Sequence, residues 1–386
     1  MTTANMQKTG SRDQRAKTAM RALLELGQSV WLDDLRRRMT RSGELEALID
    51  KGLRGLTSNP SIFEQAIAQS TDYHDAIIEL AATHPTDRAI FEALAVEDVR
   101  EAADVFRPVF EETAGADGLV SIEVSPELAR DTAGSIAEAR RLWQAVDRPN
   151  VMIKIPGTRE GWPAIERCLQ EGININITLL FSVEHYRAVA EAYLRALEAR
   201  IADGQPIDRL ASVASVFVSR IDTEVDRRLE ARGGPLPGLR GQVAIANARL
   251  MYVEFRQLTR SARWRSLAAQ GARVQRPLWA STSTKNPHYR DVLYVESLIG
   301  ADTVVTVPPH TLRAFEDHGT IARTLTDDPA DAPEVMAALA AGGIDFSDVA
   351  HTLEEEGIQK FASSFETVLR VIAQKRAALS GMSARS

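Results

Sequence analysis

The chain has 386 residues, 44% apolar and 26% charged, with a formal net charge of −7, seven histidines and one cysteine, Cys168. An acidic balance without a Lys/Arg-dense block argues against nucleic acid or an anionic membrane as main partner, while a small anionic substrate needs only a few local cations. A lone cysteine excludes an internal disulfide and fits a cytoplasmic location, no apolar run is long enough to span a bilayer, and no Cys/His/Asp/Glu group has metal-ligand spacing.

The opening "MTTANMQKTGSRDQRAK" is polar and lacks the apolar core of a signal peptide; residues 1–28 read as an N-terminal extension and first helix. Eight apolar strand candidates follow, at Ser29–Asp34, Leu53–Ser58, Gly118–Val124, Val151–Pro156, Ile173–Phe181, Leu210–Ser219, Arg276–Thr282 and Asp302–Pro309. Amphipathic segments separate them. "VEHYRAVAEAYLRALEARIADG" carries apolar residues three and four apart and stops at Gly204, and "LYVESLIG" leads into the eighth strand. Eight strand–helix units are the count of an α/β (β/α)8 TIM barrel, here over residues 29–310. The uneven gaps place helical insertions at about 61–117 and 221–274, and residues 311–386 read as C-terminal helices packed on the barrel. "GGPLPGLRG" (Gly233–Gly241) reads as a loop, and the tail "ALSGMSARS" as frayed.

In such a barrel chemistry gathers at the C-terminal ends of the strands. Those ends carry Asp33 and Asp34; Thr57, Ser58 and Asn59; Glu123; Lys154; Asn174, Asn176 and Thr178; Ser215, Ser219 and Arg220; and Ser281, Thr282, Ser283 and Lys285. Each has a plainer reading. Either aspartate could cap a helix, Asn59 before a proline could be a turn residue, and Glu123 could be a buried structural partner of Lys154. The alternating Asn174, Asn176 and Thr178 could lie on a solvated edge strand, and Arg220 could cap a strand end. The recurrence of polar residues at successive strand ends is what favours a site. Asp33 and Asp34 are adjacent, so their side chains diverge and one faces the barrel axis.

The most informative residue is Lys154, in the middle of the apolar strand "VMIKIP". Desolvation disfavours its charged form, and a neutral amine attacks carbonyls. A Schiff base is the natural use, because an iminium accepts the electrons released when a neighbouring C–C bond breaks. That chemistry needs no metal and no bound cofactor. It does need acid–base groups to dehydrate the carbinolamine and to move a hydroxyl proton, work suited to Glu123 and Asp33.

Three stretches resemble the transaldolase family in its longer bacterial form: "GLTSNPSIFEQAI" (Gly55–Ile67), "VMIKIPGTREGWPAIERCLQEGININITLLFS" (Val151–Ser182) and "ASVFVSRID" (Ala214–Asp222). The resemblance runs from about Ser29 to Val307. It implies that Lys154 forms the imine, that Asp33 takes the proton of the substrate's C4 hydroxyl, and that Glu123 works through a water held by Thr178. It further implies that Asn59 and Asn176 bind the dihydroxyacetone unit, with Ser215 on its C1 hydroxyl. Arg220 would take the phosphate in a pocket lined by Phe217, and Ser281 is counted with the substrate-binding residues. Where many members have an Ala-Ser-x-Arg-Asn element after strand seven, this chain has "ASTSTKNP", so Lys285 stands in for the second phosphate arginine. The implied partners are sugar phosphates, the implied assembly a monomer or homodimer, and the implied reaction transfer of a dihydroxyacetone unit in the pentose phosphate pathway. Two other activities fit the same residues: a fructose-6-phosphate aldolase-type reaction that releases dihydroxyacetone, and sugar-phosphate binding without chemistry.

Overall fold

The computed structural model describes residues 18–233 and 238–383. The polar opening segment and residues 234–237 of the Gly/Pro-rich 233–241 stretch therefore lie outside the described residues. Eight parallel strands close in sequence order: β1 (Gln28–Leu32), β2 (Gly55–Thr57), β3 (Leu119–Glu123), β4 (Val151–Pro156), β5 (Ile175–Leu180), β6 (Ser212–Phe217), β7 (Arg276–Ala280) and β8 (Thr303–Val307), with β8 pairing back onto β1. The expected (β/α)8 barrel is what forms. Most strands are shorter than the apolar runs that announced them, because the flanking residues turn into loops or helices; Ser219, for instance, opens a helix and Asn174 precedes β5.

The helices are α1 (Ala19–Glu25), α2 (Arg37–Arg41), α3 (Glu44–Lys51), α4 (Pro60–Gln69), α5 (His74–Ala81), α6 (Asp87–Glu112), α7 (Thr132–Val146) and α8 (Gly161–Gln170), followed by α9 (Val183–Ala202), α10 (Ser219–Ala231), α11 (Val243–Arg260), α12 (Ala262–Ala268), α13 (Leu293–Ser297), α14 (Pro309–His318), α15 (Ala332–Ala341) and α16 (Phe346–Ser383). Their starts follow local chemistry. Asn59, Thr86, Asp131 and Ser182 each accept a first-turn backbone N–H, and Pro60 occupies a position where its missing N–H costs nothing. The tail expected to fray instead continues α16 through Ser383. At 38 residues this helix is about 57 Å long. It packs on α4, α5, α6 and α10 and reaches β5, which lays it across one end of the barrel.

The strands are buried along almost their whole length, as expected where helices cover the outside and side chains fill the interior. One close approach sets the fit between β1 and β2. Gly55 is the register partner of Trp31, and a Cβ at Gly55 would lie 2.5 Å from the fully buried indole ring. Gly55→Ala is expected to cost about 1–3 kcal/mol through overpacking and so to lower the melting temperature. Calorimetry on both proteins checks this, and an unchanged transition would show that the ring has room to move.

Candidate active site

Lys154 sits within β4, and the register of the barrel sets Glu123 of β3 on one side of it and Asn176 of β5 on the other. The lysine is 4% exposed. Its Nζ donates to the carbonyl oxygen of Ser58 at 3.2 Å and lies 3.4 Å from Glu123 Oε2. The Glu123 side chain is buried as well, and neither of its oxygens has a hydrogen-bond partner in the protein. The Thr178 hydroxyl is buried and equally unpartnered. It lies at the one register shift in the described strand pairings, between Ile177 and Leu180, where Leu179 takes a positive φ of 60°. That bulge breaks the regular alternation of β5 next to the threonine.

Beside the lysine runs a hydrogen-bond chain across four strands and loops. Ser58 Oγ donates to the Ser121 carbonyl at 2.8 Å, Asn176 Nδ2 donates to Ser121 Oγ at 2.9 Å, and Ser215 Oγ donates to Asn176 Oδ1 at 2.6 Å. It fixes the Asn176 amide so that its oxygen faces β6 and its nitrogen faces β3. Ser121 is absent from the sequence-derived set. Its alternation with Glu123 in "SIE" puts both on the same face of β3, the signal that would have found it.

A cavity of about 1160 Å³ opens above Lys154. Asp33, Asn59, Lys154, Ser215, Phe217, Arg220, Ser281 and Lys285 all line it. Glu123 and Asn176 are not on its wall but adjoin it through Lys154 and Ser215, and Thr178 lies off the wall toward the C-terminal end of β5. The eleven residues named from sequence thus converge on one end of the barrel. Asn59 does two things at once: its Oδ1 caps α4 by accepting from Ile62 N at 3.0 Å, and the residue also faces the cavity. Ser281 has a positive φ of 55°, and its hydroxyl meets that of Ser219 at 3.0 Å. Lys285 Nζ donates to Ser283 Oγ at 2.7 Å. Asn174, read with Asn176 as part of one polar face, belongs elsewhere. Its side chain ties Pro149, Val151 and Ala211 together at the opposite end of β5.

The two aspartates diverge. Asp34 is bound to Arg36 at 2.8 Å. Burial pushes the Asp33 pKa up and dominates; Lys154 pulls it down, the neighbouring Asp34 adds to the rise, and Lys285 and Arg220 pull it down further. Burial likewise raises the Glu123 pKa against the pull of Lys154. A second, small cavity of about 40 Å³ touches Glu123, Asn59, Ser125 and Glu138 from behind, enough for a water beside the carboxylate.

The long helix α16 contributes what the sequence did not announce. Its Phe361 ring centroid is 5.9 Å from Lys154 Nζ and 6.0 Å from Arg220 Cζ, and Lys360 and Ser364 also line the cavity. Phe361 repeats at ordinary helical spacing with apolar neighbours, a pattern indistinguishable from core. One further grouping escaped the reading of spacing: His351, Glu354 and Glu355 come together on one turn of α16. Both glutamates are ion-paired to Arg130, and none of the three lines the cavity. Cys168 is buried, and burial pushes its thiol up to about 12, which leaves it unreactive.

Comparison with known proteins gives consistent results. A family profile described as Transaldolase/Fructose-6-phosphate aldolase matches residues 30–372. A transaldolase of Saccharopolyspora erythraea is 48% identical over 358 residues, covering 92% of this chain and 97% of that protein. A transaldolase of Acidothermus cellulolyticus is 51% identical over 88% of this chain and 92% of its own length, and one of Mycobacterium tuberculosis is 49% identical over 90% and 95%.

Proposed function

The chain belongs to the transaldolase/fructose-6-phosphate aldolase family and has transaldolase function, and from that premise we propose that Lys154 carries a dihydroxyacetone unit between sugar phosphates as a Schiff base. The donor is fructose 6-phosphate or sedoheptulose 7-phosphate, the acceptor glyceraldehyde 3-phosphate or erythrose 4-phosphate, and the reaction a step of the pentose phosphate pathway. The observation that carries this reading is the buried amine of Lys154, held by the Ser58 carbonyl and Glu123 at the floor of a cavity large enough for a sugar phosphate. A cytoplasmic setting is part of it, supported by a single buried thiol. No helix among the described residues is long and apolar enough to cross a membrane.

The steps follow from the residues. Lys154 Nζ adds to the ketose C2 carbonyl. Glu123, acting through a water, returns a proton to the C2 hydroxyl, which leaves as water, and the iminium forms. The unpartnered Glu123 oxygens and Thr178 hydroxyl support the water-mediated route, as does the small cavity behind Glu123. Asp33 then takes the C4 hydroxyl proton. The C3–C4 bond breaks, its electrons pass to the iminium as an enamine, and the aldose leaves. An incoming aldose phosphate is attacked by the enamine carbon as Asp33 returns the proton, and hydration of the new imine frees the ketose. Asn59, Asn176 and Ser215 hold the three-carbon unit meanwhile, and Arg220 and Lys285 hold the phosphate beside Phe217 and Ser281.

Borohydride with fructose 6-phosphate is expected to leave a stable adduct on the peptide containing "VMIKIPGTR", and Lys154→Arg is expected to abolish it. Peptide mapping checks this; an adduct on another lysine would overturn the assignment. Free dihydroxyacetone accumulating in place of transfer product would point to the aldolase reaction.

Asp33→Asn is expected to lose on the order of 10²–10⁴-fold in kcat for want of a general base, while still accumulating a trappable imine with intact fructose 6-phosphate. Glu123→Gln acts earlier and is expected to slow formation of that imine. Mass-spectrometric rates of the trapped adduct, set beside melting temperatures, separate both from a merely structural pair. Normal transfer by Asp33→Asn would sink the mechanism.

The raised pKa of Asp33 has a sign. The base must be ionised to accept a proton, so kcat/KM falls as pH drops through its folded-state pKa, and that acid limb lies above the ordinary aspartate value of 3.8. A profile flat down to 3.8 would contradict it.

A further inference from the structure

We propose that Lys360, on the C-terminal helix α16, is a third cation of the phosphate-binding end of the cavity and that α16 thereby helps select phosphorylated sugars over plain ones. The inference rests on the reading that Arg220 and Lys285 receive the phosphate.

The geometry begins at Gly357. A Cβ there would lie 2.7 Å from Leu179 Cδ2 and 3.5 Å from Arg220 Nη1, so the backbone of α16 runs directly against the bulge of β5 and the arginine. One turn later Phe361 stacks near the same arginine, with its ring 6.5 Å from that of Phe217. Lys360 adjoins Phe361 and lines the cavity together with Arg220 and Lys285. Ser364 Oγ meets Ser61 Oγ at 2.8 Å, which ties this stretch of α16 to α4 beside the mouth of the cavity. The helix that carries Lys360 is therefore anchored on both sides of the site.

Among the described residues, none of the three cations has a carboxylate in direct contact. Among the described residues, Lys360 and Arg220 have no hydrogen bond or ion pair to protein, and Lys285 has only the Ser283 hydroxyl. Each of the three has its pKa lowered, first by burial; Lys360 and Arg220 add to the effect at Lys285, and Arg220 to that at Lys360. The carboxylates that act on Arg220 are Glu356 and Asp33, and Asp33 is committed to proton transfer. Mutually repelling cations around one cavity are relieved by a dianion. The guanidinium offers two parallel donors to phosphate oxygens, and each ammonium offers a point charge to another. Because Lys285 is itself a point charge, a second ammonium from α16 supplies contacts that one lysine leaves unmade.

The test compares kcat/KM for fructose 6-phosphate with that for fructose and takes the ratio. Lys360→Ala is expected to lower the ratio about tenfold, the low end for a contact with a charged group. Lys360→Glu should lower it further, and Lys360→Arg should keep most of it. Inorganic phosphate, used as an inhibitor of turnover on fructose, should bind Lys360→Ala more weakly by a similar factor. An unchanged ratio for Lys360→Ala alongside a large fall for Arg220→Ala would overturn the role of Lys360 and leave the phosphate site standing. An unchanged ratio for both would overturn the phosphate site itself. Equal losses on both sugars with a lower melting temperature would show that Lys360 supports the helix and not the substrate.

Discussion

The pairing of Lys154 with Glu123 in the middle of a parallel barrel is the constraint on which the rest of the site depends. An ammonium and a carboxylate taken out of water cost several kcal/mol each, and a separation of 3.4 Å with one added carbonyl contact offsets that only in part. Removing either partner strands the other. The barrel accepts this arrangement because its neighbours are rigid: the two strands carrying the pair are held in register, and the Ser58–Ser121–Asn176–Ser215 chain braces the layer around it. The same tension that makes the pair expensive is useful chemically. Imine formation draws the Lys154 nitrogen into a bond with the substrate carbon, while Glu123, whose oxygens have no hydrogen-bond partner in the protein, stays beside it for acid–base work.

Three kinds of element share the labour. The barrel strands hold the reacting groups at fixed heights. The loops after β1, β2, β6 and β7 carry residues that serve both fold and site, as Asn59 does by capping α4 while facing the cavity. The helix α16 lies outside the strand–helix repeat and closes one wall with Phe361 over Lys154 and Arg220. An aromatic face toward two cations favours them electrostatically while excluding water, which strengthens every charge interaction beneath it. The cluster of cations at that wall is matched to a phosphate, and the buried carboxylate Asp33 to a hydroxyl proton.

Much of this was legible along the chain. Eight apolar runs separated by amphipathic segments specify a parallel barrel, since strands buried on both faces leave few polar positions and each exception stands out. Lys154 in "VMIKIP" was such an exception, and Asp33, Glu123, Asn176 and Arg220 were others. The pairing of Glu123 with Lys154 could be suspected but not located, because register is a relation between segments. Asn174 shows the limit: by alternation it belongs with Asn176, yet it precedes the strand and serves the other end of the barrel. Ser121 was hidden among ordinary strand residues, although its spacing from Glu123 placed it on the same face.

What the sequence by itself determined was the set of elements, the end of the barrel where chemistry collects, and the identity of the amine. These depend on local pattern and on the cost of burying charge, and both can be read residue by residue. What only the tertiary structure decided was the meeting of distant parts: Phe361 and Lys360 with Arg220, the pairing of Asp34 but not Asp33 with Arg36, and the hydroxyl network beside the lysine. A helix near the end of the chain reads as core wherever its apolar face points. Its role appears only when packing brings Gly357 against Leu179, because proximity across more than a hundred residues leaves no trace in local periodicity.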